Sequence, residues 1–466
     1  MKEMQNNPHN RIMIAAPHSG SGKTLITCGL LQALLDSGKS VAAFKCGPDY
    51  IDPLFHERVL GVPSKNLDLY FTDEKTTRGL FLAENESQIS VVEGVMGLYD
   101  GLGGIEERAS AYHLAKVLQT PIILVIDVHG MGRSVLAEVK GFLAMDTGHL
   151  IQGLILNRCS VNFYEQLKGM IEKEVGLAVL GYFPVRKDLQ FQSRHLGLQL
   201  PDEIRDLQEV LERIADQMKE TIDLETLLGI AGQAADLEGE KIGHICMGGQ
   251  DTAIPKVKIG VARDAAFCFY YADNLRLLEA AGAELCYFSP MDDGHLPKGI
   301  QGLLLGGGYP ELYAKELSEN LSMRQDIRQA VAQGMPILAE CGGFMYLHKT
   351  LETREGERYK MVGVVDGECH YTGHLVRFGY VGITEKETNF LSEADQIRGH
   401  EFHYYDSSDN GRDCIAKKPV GGRSWECVHE NQKQFLGFAH LYYPSNPVFV
   451  QHFIEECRRE KAWQEY

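Results

Sequence analysis

No run of 18 apolar residues occurs in the 466-residue chain, which excludes a helix long and apolar enough to cross a bilayer. C-x-x-C pairs are missing as well. The 11 cysteines are scattered and odd in number, so neither a zinc site nor a disulfide framework is indicated, and a reducing cytoplasm is the expected setting. Basic residues are scarce. Against 64 Asp and Glu there are 46 Lys and Arg, a net charge of −18 that argues against general nucleic-acid binding. The same deficit means that any anionic substrate needs a local basic pocket. No internal repeat or low-complexity tract is present, and the polar first ten residues run straight into an apolar stretch, unlike a signal peptide.

What is present is an ordinary globular composition, 44% apolar, in a chain long enough for two or three domains. Short apolar runs at Ile12–Ala16, Val41–Lys45, Gln88–Glu93, Pro121–Asp127 and Ile151–Asn157 alternate with helical stretches such as Lys23–Leu35. Strands of this length separated by helices predict a parallel α/β sheet. From about Leu224 to Pro255, glycines among polar residues break the pattern. We place the linker at 236–256, between a first domain over 1–235 and a second over 257–466. A new series of strands follows at Val257–Ala262, Ala283–Ser289, Gln301–Leu305 and Met335–Ala339.

Ser19-Gly-Ser-Gly-Lys-Thr24 lies between the first strand and the first helix, the setting of a phosphate-binding loop. Backbone N–H groups of Ser19, Gly20, Ser21 and Gly22 would wrap the phosphates, Lys23 would neutralise them, and Thr24 would offer its hydroxyl to Mg²⁺. Position 17, where the usual pattern has its first glycine, is Pro17, so the curvature must come from Ser19-Gly20. Asp49 and Glu93 end later strands and are the expected Mg²⁺ ligands beside Thr24, with Asp52 and Asp100 nearby. Each could instead be a helix cap or turn residue. Asn157 also ends a strand, where its amide could read an adenine edge or cap the next helix.

Cys341 ends the apolar run Met335–Ala339 and precedes Gly342-Gly343, the layout by which a strand-to-helix elbow presents a nucleophile. Leu303-Leu-Leu-Gly-Gly-Gly-Tyr-Pro-Glu311 runs a buried strand into three glycines, so Gly307 and the N–H of Gly342 are candidate oxyanion donors. Among 17 histidines, His440 is the best placed to be the base, at the end of the apolar strand before it; a merely buried, hydrogen-bonded histidine is the alternative. Arg398-Gly-His-Glu-Phe-His-Tyr-Tyr405 concentrates polar and aromatic groups without metal-ligand spacing and could line a substrate pocket.

In this order, these segments resemble the cobyrinic acid a,c-diamide synthase family over nearly the whole chain. The resemblance implies an N-terminal P-loop ATPase domain of the dethiobiotin synthetase type and a C-terminal triad-type glutamine amidotransferase domain. Carried over by position, Cys341 is the nucleophile and His440 its partner. Related glutaminases place a glutamate two residues after that histidine, where this chain has Tyr442, so what orients His440 is open. The implied reaction is ATP- and glutamine-dependent amidation of the a and c carboxylates of cobyrinic acid through acyl phosphates, as in cobalamin biosynthesis. Asp52, Asp100, Arg194 and His195 fall in the substrate and acyl-phosphate region, and Arg158, Arg186, Lys187 and Arg194 are candidates to grip the other carboxylates. Because free ammonia must be kept from water, the two sites are expected to communicate through a closed channel. The implied partners are ATP, Mg²⁺, glutamine and the macrocycle, with no nucleic acid or membrane, and a homodimer is left open. The same chemistry on hydrogenobyrinate or nickel sirohydrochlorin, a longer cobyric acid synthase relative, and a partitioning-type ATPase switch are the competing readings.

Overall fold

The computed structural model describes residues 10–83, 86–189, 201–237 and 255–464, with the side chains of 187 and 201–206 outside that description. The chain divides into two compact units, Met1–Ile242 and Gly243–Tyr466.

In the first unit seven strands form one sheet: β1 Arg11–Ala15, β2 Val41–Cys46, β3 Ser64–Leu67, β4 Ile89–Glu93, β5 Ile122–Asp127, β6 Ile151–Asn157 and β7 Val179–Phe183. Their order is β3-β2-β4-β1-β5-β6-β7, and every pairing is parallel. β1, β2 and β4 are buried along their whole length, as strands covered by helices on both faces must be. The core on one face gathers Ile12, Ile14, Val91 and Val125 with Leu30 and Leu34 of the helix Lys23–Asp36 and Ile214 and Met218 of the helix Pro201–Thr221. Parallel topology brings the ends of β1, β2, β4, β5 and β6 to one edge, and the predicted phosphate loop, acids and Asn157 all lie there.

One part of the expected break in pattern is corrected. Leu224–Ala231 is a helix, capped by Asp223, whose carboxylate accepts from the Thr226 N–H at 2.9 Å. Its leucines and isoleucine recur at helical spacing, so Leu227, Ile230 and Ala231 bury against the core despite Gly229. Most of the proposed linker, 238–254, lies outside the described residues.

The second unit is built from β8 Val257–Ala262, β9 Phe267–Phe269, β10 Ala283–Phe288, β11 Gly302–Leu305, β12 Gly307–Gly308, β13 Ile337–Glu340, β14 Thr350–Glu352, β15 Arg358–Lys360, β16 Glu368–Tyr371, β17 Arg377–Glu385, β18 Ile397–His403, β19 Tyr405–Ser407, β20 Cys414–Lys417, β21 Ser424–Cys427, β22 His429–Asn431, β23 Gln434–Gly437 and β24 His440–Leu441. A six-stranded sheet ordered β10-β8-β11-β13-β23-β22 is parallel except at β22. A second sheet, β21-β20-β17-β18-β24, is antiparallel throughout. Neither it nor the small sheet β15-β14-β16-β19 is foreseen by the sequence pattern. His440 is also displaced from its expected place. The strand before it stops at Gly437, and His440 opens β24, which pairs with β18 in the other sheet.

Candidate active sites

In the first unit the loop after β1 turns on two left-handed glycines, Gly20 at φ 83° and Gly22 at φ 98°. Gly22 is fixed a second time: a Cβ there would lie 2.2 Å from Asn157 Nδ2. That amide donates to the Ser21 carbonyl at 2.8 Å, so Asn157 braces the loop from the end of β6. Ser21 is buried and its hydroxyl donates to the His18 carbonyl at 2.9 Å. The Lys23 ammonium folds back over the loop and donates to the carbonyls of His18 (3.1 Å) and Met96 (2.5 Å). Burial, with Lys45 adding to it, lowers its pKa to about 8, against the pull of Glu93, Asp100 and Asp52.

Behind Lys23 lies a buried ionic cluster. The Thr24 hydroxyl donates to Glu93 Oε1 at 2.7 Å, and Lys45 Nζ reaches the same oxygen at 2.9 Å while pairing with Asp52 Oδ2. Glu93 is 0% exposed, and burial followed by the Asp52 charge pushes it up to about 7 against Lys45 and Thr24. Burial acts on Asp52 too, but the Lys45 ammonium overrides it and holds that carboxyl below its ordinary value. Lys45 is held well above the usual lysine range, its burial overcome by Asp52 and Glu93. Asp49, raised by burial and by Asp52, accepts from the Ile51 N–H at 2.9 Å, and Asp100 accepts from the Gly97 N–H at 2.9 Å. The oxygens of Thr24, Glu93 and Asp49 are hard donors, and Glu93 Oε2 is buried without a hydrogen-bond partner. That set fits Mg²⁺ bound together with phosphate oxygens; no group of three His, Cys, Asp or Glu among the described residues is arranged to hold a metal alone. Beyond Asn157, at the ends of β5, β6 and β7, a cleft of about 540 Å³ is lined by Val128, Met131, Arg158, Phe163 and Val185.

In the second unit Cys341 is the residue between β13 and the short helix Gly342–Tyr346, at φ 45° and ψ −103°. This is a strained backbone for a residue with a Cβ, and its N–H is held by the Gly437 carbonyl at 2.9 Å. The two glycines that follow are required by space. A Cβ at Gly343 would lie 2.1 Å from the Leu305 carbonyl oxygen, and one at Gly342 would lie 2.9 Å from Pro310 and 3.0 Å from the Gly308 nitrogen. The Gly342 N–H acts to lower the Cys341 thiol against its burial, while the Gly343 N–H is taken by the Gly306 carbonyl at 2.9 Å. Gly307 touches the other partner: a Cβ there would meet His440 Cε1 at 2.3 Å. The β12 backbone therefore lies against the elbow on one side and the His440 ring on the other. That ring stacks on His400 at 5.0 Å between centroids, and Phe269 meets it edge-on at 6.2 Å. Burial, then His400 and His403, push His440 well below the usual imidazole range, so its ring is neutral. Burial, then Glu311, raise the Cys341 thiol, which is protonated at neutral pH until a base takes the proton.

Two family profiles match the chain. The CobQ/CobB/MinD/ParA nucleotide binding domain covers residues 12–198, and the CobB/CobQ-like glutamine amidotransferase domain covers 258–442. Cobyrinate a,c-diamide synthase of Caldanaerobacter subterraneus subsp. tengcongensis is 40% identical over 96% of this chain and 98% of its own length. The synthase of the same name from Listeria innocua serovar 6a is 39% identical over 97% of this chain and all of its own. The chain belongs to the cobyrinate a,c-diamide synthase family. It is a glutamine-dependent amide ligase with a P-loop nucleotide-binding domain and a glutamine amidotransferase domain. Among the described residues no helix is long and apolar enough to cross a membrane.

The sequence-predicted residues fall into three groups. Lys23, Thr24, Glu93, Asp52, Asp100 and Asn157 converge on the loop, and Cys341, His440, Gly307 and Gly342 on the elbow. Arg158 and Arg186 are spent on neighbours, Arg158 on Asp127 and Arg186 on Asp188 and Gln217. Arg194 and His195 lie outside the described residues, as does the Lys187 side chain.

Several residues were missed. Lys45 is the one charged residue in an otherwise apolar strand, which was signal enough to single it out. Glu340, pushed by burial to about 8, accepts from the Tyr443 hydroxyl at 2.8 Å and the Leu441 N–H at 3.3 Å, and so ties the residue before Cys341 to the segment after His440. Tyr442, two residues after His440, is buried with its hydroxyl on Asp273 at 3.0 Å.

Proposed function

We propose that this enzyme converts the a and c carboxylates of cobyrinic acid to amides, using ATP to activate each and glutamine to supply the nitrogen. The observation that carries the reading is the presence in one chain of a phosphate loop backed by Lys23, Thr24 and Glu93 and of a strained cysteine elbow facing bare glycine backbone. The relatives, cobyrinate a,c-diamide synthases, supply the substrate and the positions.

A carboxylate does not accept ammonia near neutral pH, because its oxygen is too poor a leaving group. Phosphoryl transfer from ATP converts that oxygen into phosphate, and such transfer is mostly positioning and charge neutralisation. In this proposal Ser19–Gly22 cradle the phosphates with their N–H groups and Lys23 leaves its carbonyl partners for the phosphate oxygens. Thr24, Glu93 and Asp49 are the residues to hold Mg²⁺, whose charge would offset that of the phosphates. Lys45 keeps Asp52 ionised and Glu93 oriented, and the cleft beyond Asn157 receives the base of the nucleotide. Asp100 and the segment of Arg194 and His195 are the further candidates to meet the acyl phosphate.

At the second site His440 takes the Cys341 proton, and the thiolate attacks the carboxamide of glutamine. The N–H groups of Gly307 and Gly342 receive the negative oxygen, ammonia leaves, and water then frees glutamate. The ammonia attacks the acyl phosphate and expels phosphate.

The test is an assay with ATP, cobyrinic acid and glutamine carrying ¹⁵N in its amide, read by mass spectrometry. The expected product has two OH groups replaced by ¹⁵NH₂. Turnover only with a metal-free or nickel macrocycle would reassign the substrate, and label transfer to none of them would overturn the reading.

A further inference from the structure

We infer that Glu401 and His403 receive the α-ammonium of glutamine, and that this pair makes the thiol site selective for the amino acid over other primary amides. The inference rests on the reading of Cys341 as the glutaminase nucleophile.

The two residues are two apart on β18, so they share one face of its sheet. Phe402, between them, points the other way and is 51% exposed, whereas Glu401 is 3% and His403 6% exposed. The pair is tied to the elbow. His403 stacks face to face on Phe438 at 4.2 Å, and Phe438 packs on Phe344 of the elbow helix. Phe438 also follows Gly437, the residue whose carbonyl holds the Cys341 N–H. The Glu401 charge is among those that act on the Cys341 thiol.

The hydrogen-bonding chemistry then asks for a donor. His403 Nδ1 lies 2.7 Å from the Tyr405 carbonyl oxygen, which can only accept, so Nδ1 carries the proton. In the neutral ring Nε2 is therefore a lone pair. It faces Glu401 Oε2 across 3.9 Å, and neither atom has a hydrogen-bond partner. Two buried acceptors facing each other are costly unless something between them donates to both. An ammonium does so: two of its tetrahedral N–H bonds, each reaching an acceptor at about 2.8 Å, span roughly 4.6 Å, which a small side-chain rotation provides. Lys418, whose Nζ donates to the Phe378 carbonyl, supplies charge of the opposite sign for an α-carboxylate. A Cβ on Gly379, which pairs with Glu401 across β17 and β18, would lie 3.7 Å from Lys418 Nζ.

The experiment compares glutamine with glutaramate, the same chain without its α-amino group, as substrates for hydrolysis. A site built to bind a polar group rejects the analogue lacking it, so full-length enzyme should prefer glutamine by about 100-fold or more in kcat/KM. In Glu401→Gln that preference should fall below about tenfold, through a higher KM for glutamine with kcat within about threefold of the parent and glutaramate little changed. His403→Leu, which keeps an apolar contact with Phe438 and removes the acceptor, should raise the glutamine KM in the same selective way and serves if Glu401→Gln folds poorly. An unchanged preference in both variants, an equal loss for both substrates, or a parent enzyme that takes glutaramate as readily as glutamine would overturn the inference. The glutaminase reading itself is tested separately, by loss of glutamine hydrolysis in Cys341→Ala.

Discussion

Two lysines buried around the phosphate loop respond to that burial in opposite directions. Lys45 sits between Asp52 and Glu93 and is held above the usual range, whereas Lys23 has only carbonyls within reach and is lowered to about 8. Lys45 is thus a structural cation with both partners present, and Lys23, in the proposed function, is the cation that meets the phosphates. Removing them should have different consequences. Lys23→Ala should cut amidation by about 10²–10³-fold, the range for losing one charge-stabilising group in an active site, and should do so with glutamine or with ammonium as nitrogen source. Turnover from ammonium that survives the change would place the phosphates elsewhere. Lys45→Met leaves two buried carboxylates without their shared cation and should lower the melting temperature of the first unit, because breaking a buried pair from one side is costly. A scanning-calorimetry trace with that transition unmoved would contradict the description of Lys45 as structural. Residues of this kind are hard to read from sequence. Lys23 stands in a recognisable motif, but Lys45, Glu340 and His403 are defined by neighbours 48, 101 and 35 positions away that only folding brings close.

At the scale of elements, legibility followed burial. Most of the parallel strands are legible because each is a short apolar run closed by a polar or glycine-rich turn, and Ile151–Asn157 and Val257–Ala262 match the folded strands residue for residue; β7, Val179–Phe183, is as apolar and is not singled out. β3, Ser-Lys-Asn-Leu, carries too little apolar character to be seen, although all four residues are buried in the fold. β14, β15, β16, β21 and β22 escape the pattern for a related reason: each is three or four residues long and partly exposed, so its pattern is diluted by polar and charged residues. The step from Gly437 to His440 carries the chain from one sheet to another, a change no periodicity reveals, and it is this step that turns the His440 ring toward Gly307. The contact gives a sharp test. Gly307→Ala would place a methyl about where the ring edge now lies, and a misplacement of that size at a catalytic base costs on the order of 10²-fold in glutamine hydrolysis. Ammonium-driven amidation, measured in the same preparation, should remain. Equal loss of both activities would mean that the His440 side of β12 is not the glutaminase site.

For the whole molecule, buried neutral histidines set the response to acid. Burial lowers His348 to about 4 and His400 to about 3, and His348 is further fixed between the Phe344 carbonyl (2.8 Å) and the Ser407 hydroxyl (2.6 Å). A histidine whose folded pKa lies below its unfolded value near 6.5 is protonated more readily in the unfolded chain, so stability is lost as pH falls from about 6.5 toward 4. His348 alone should cost about 2 kcal/mol at pH 5 relative to pH 8. The melting temperature of the second unit should therefore drop over that window, and His348→Gln should flatten the slope; an unchanged slope would remove His348 from the explanation.

The division of labour between the two units is tested most directly by exchanging the nitrogen source in Cys341→Ala. With ATP and cobyrinic acid present, the variant should form no amide from glutamine while forming it from ammonium at a rate close to that of the parent enzyme. Amide formation from glutamine without the thiol, or loss of the ammonium-driven reaction along with it, would contradict a chain that makes ammonia at Cys341 and consumes it at the phosphate loop.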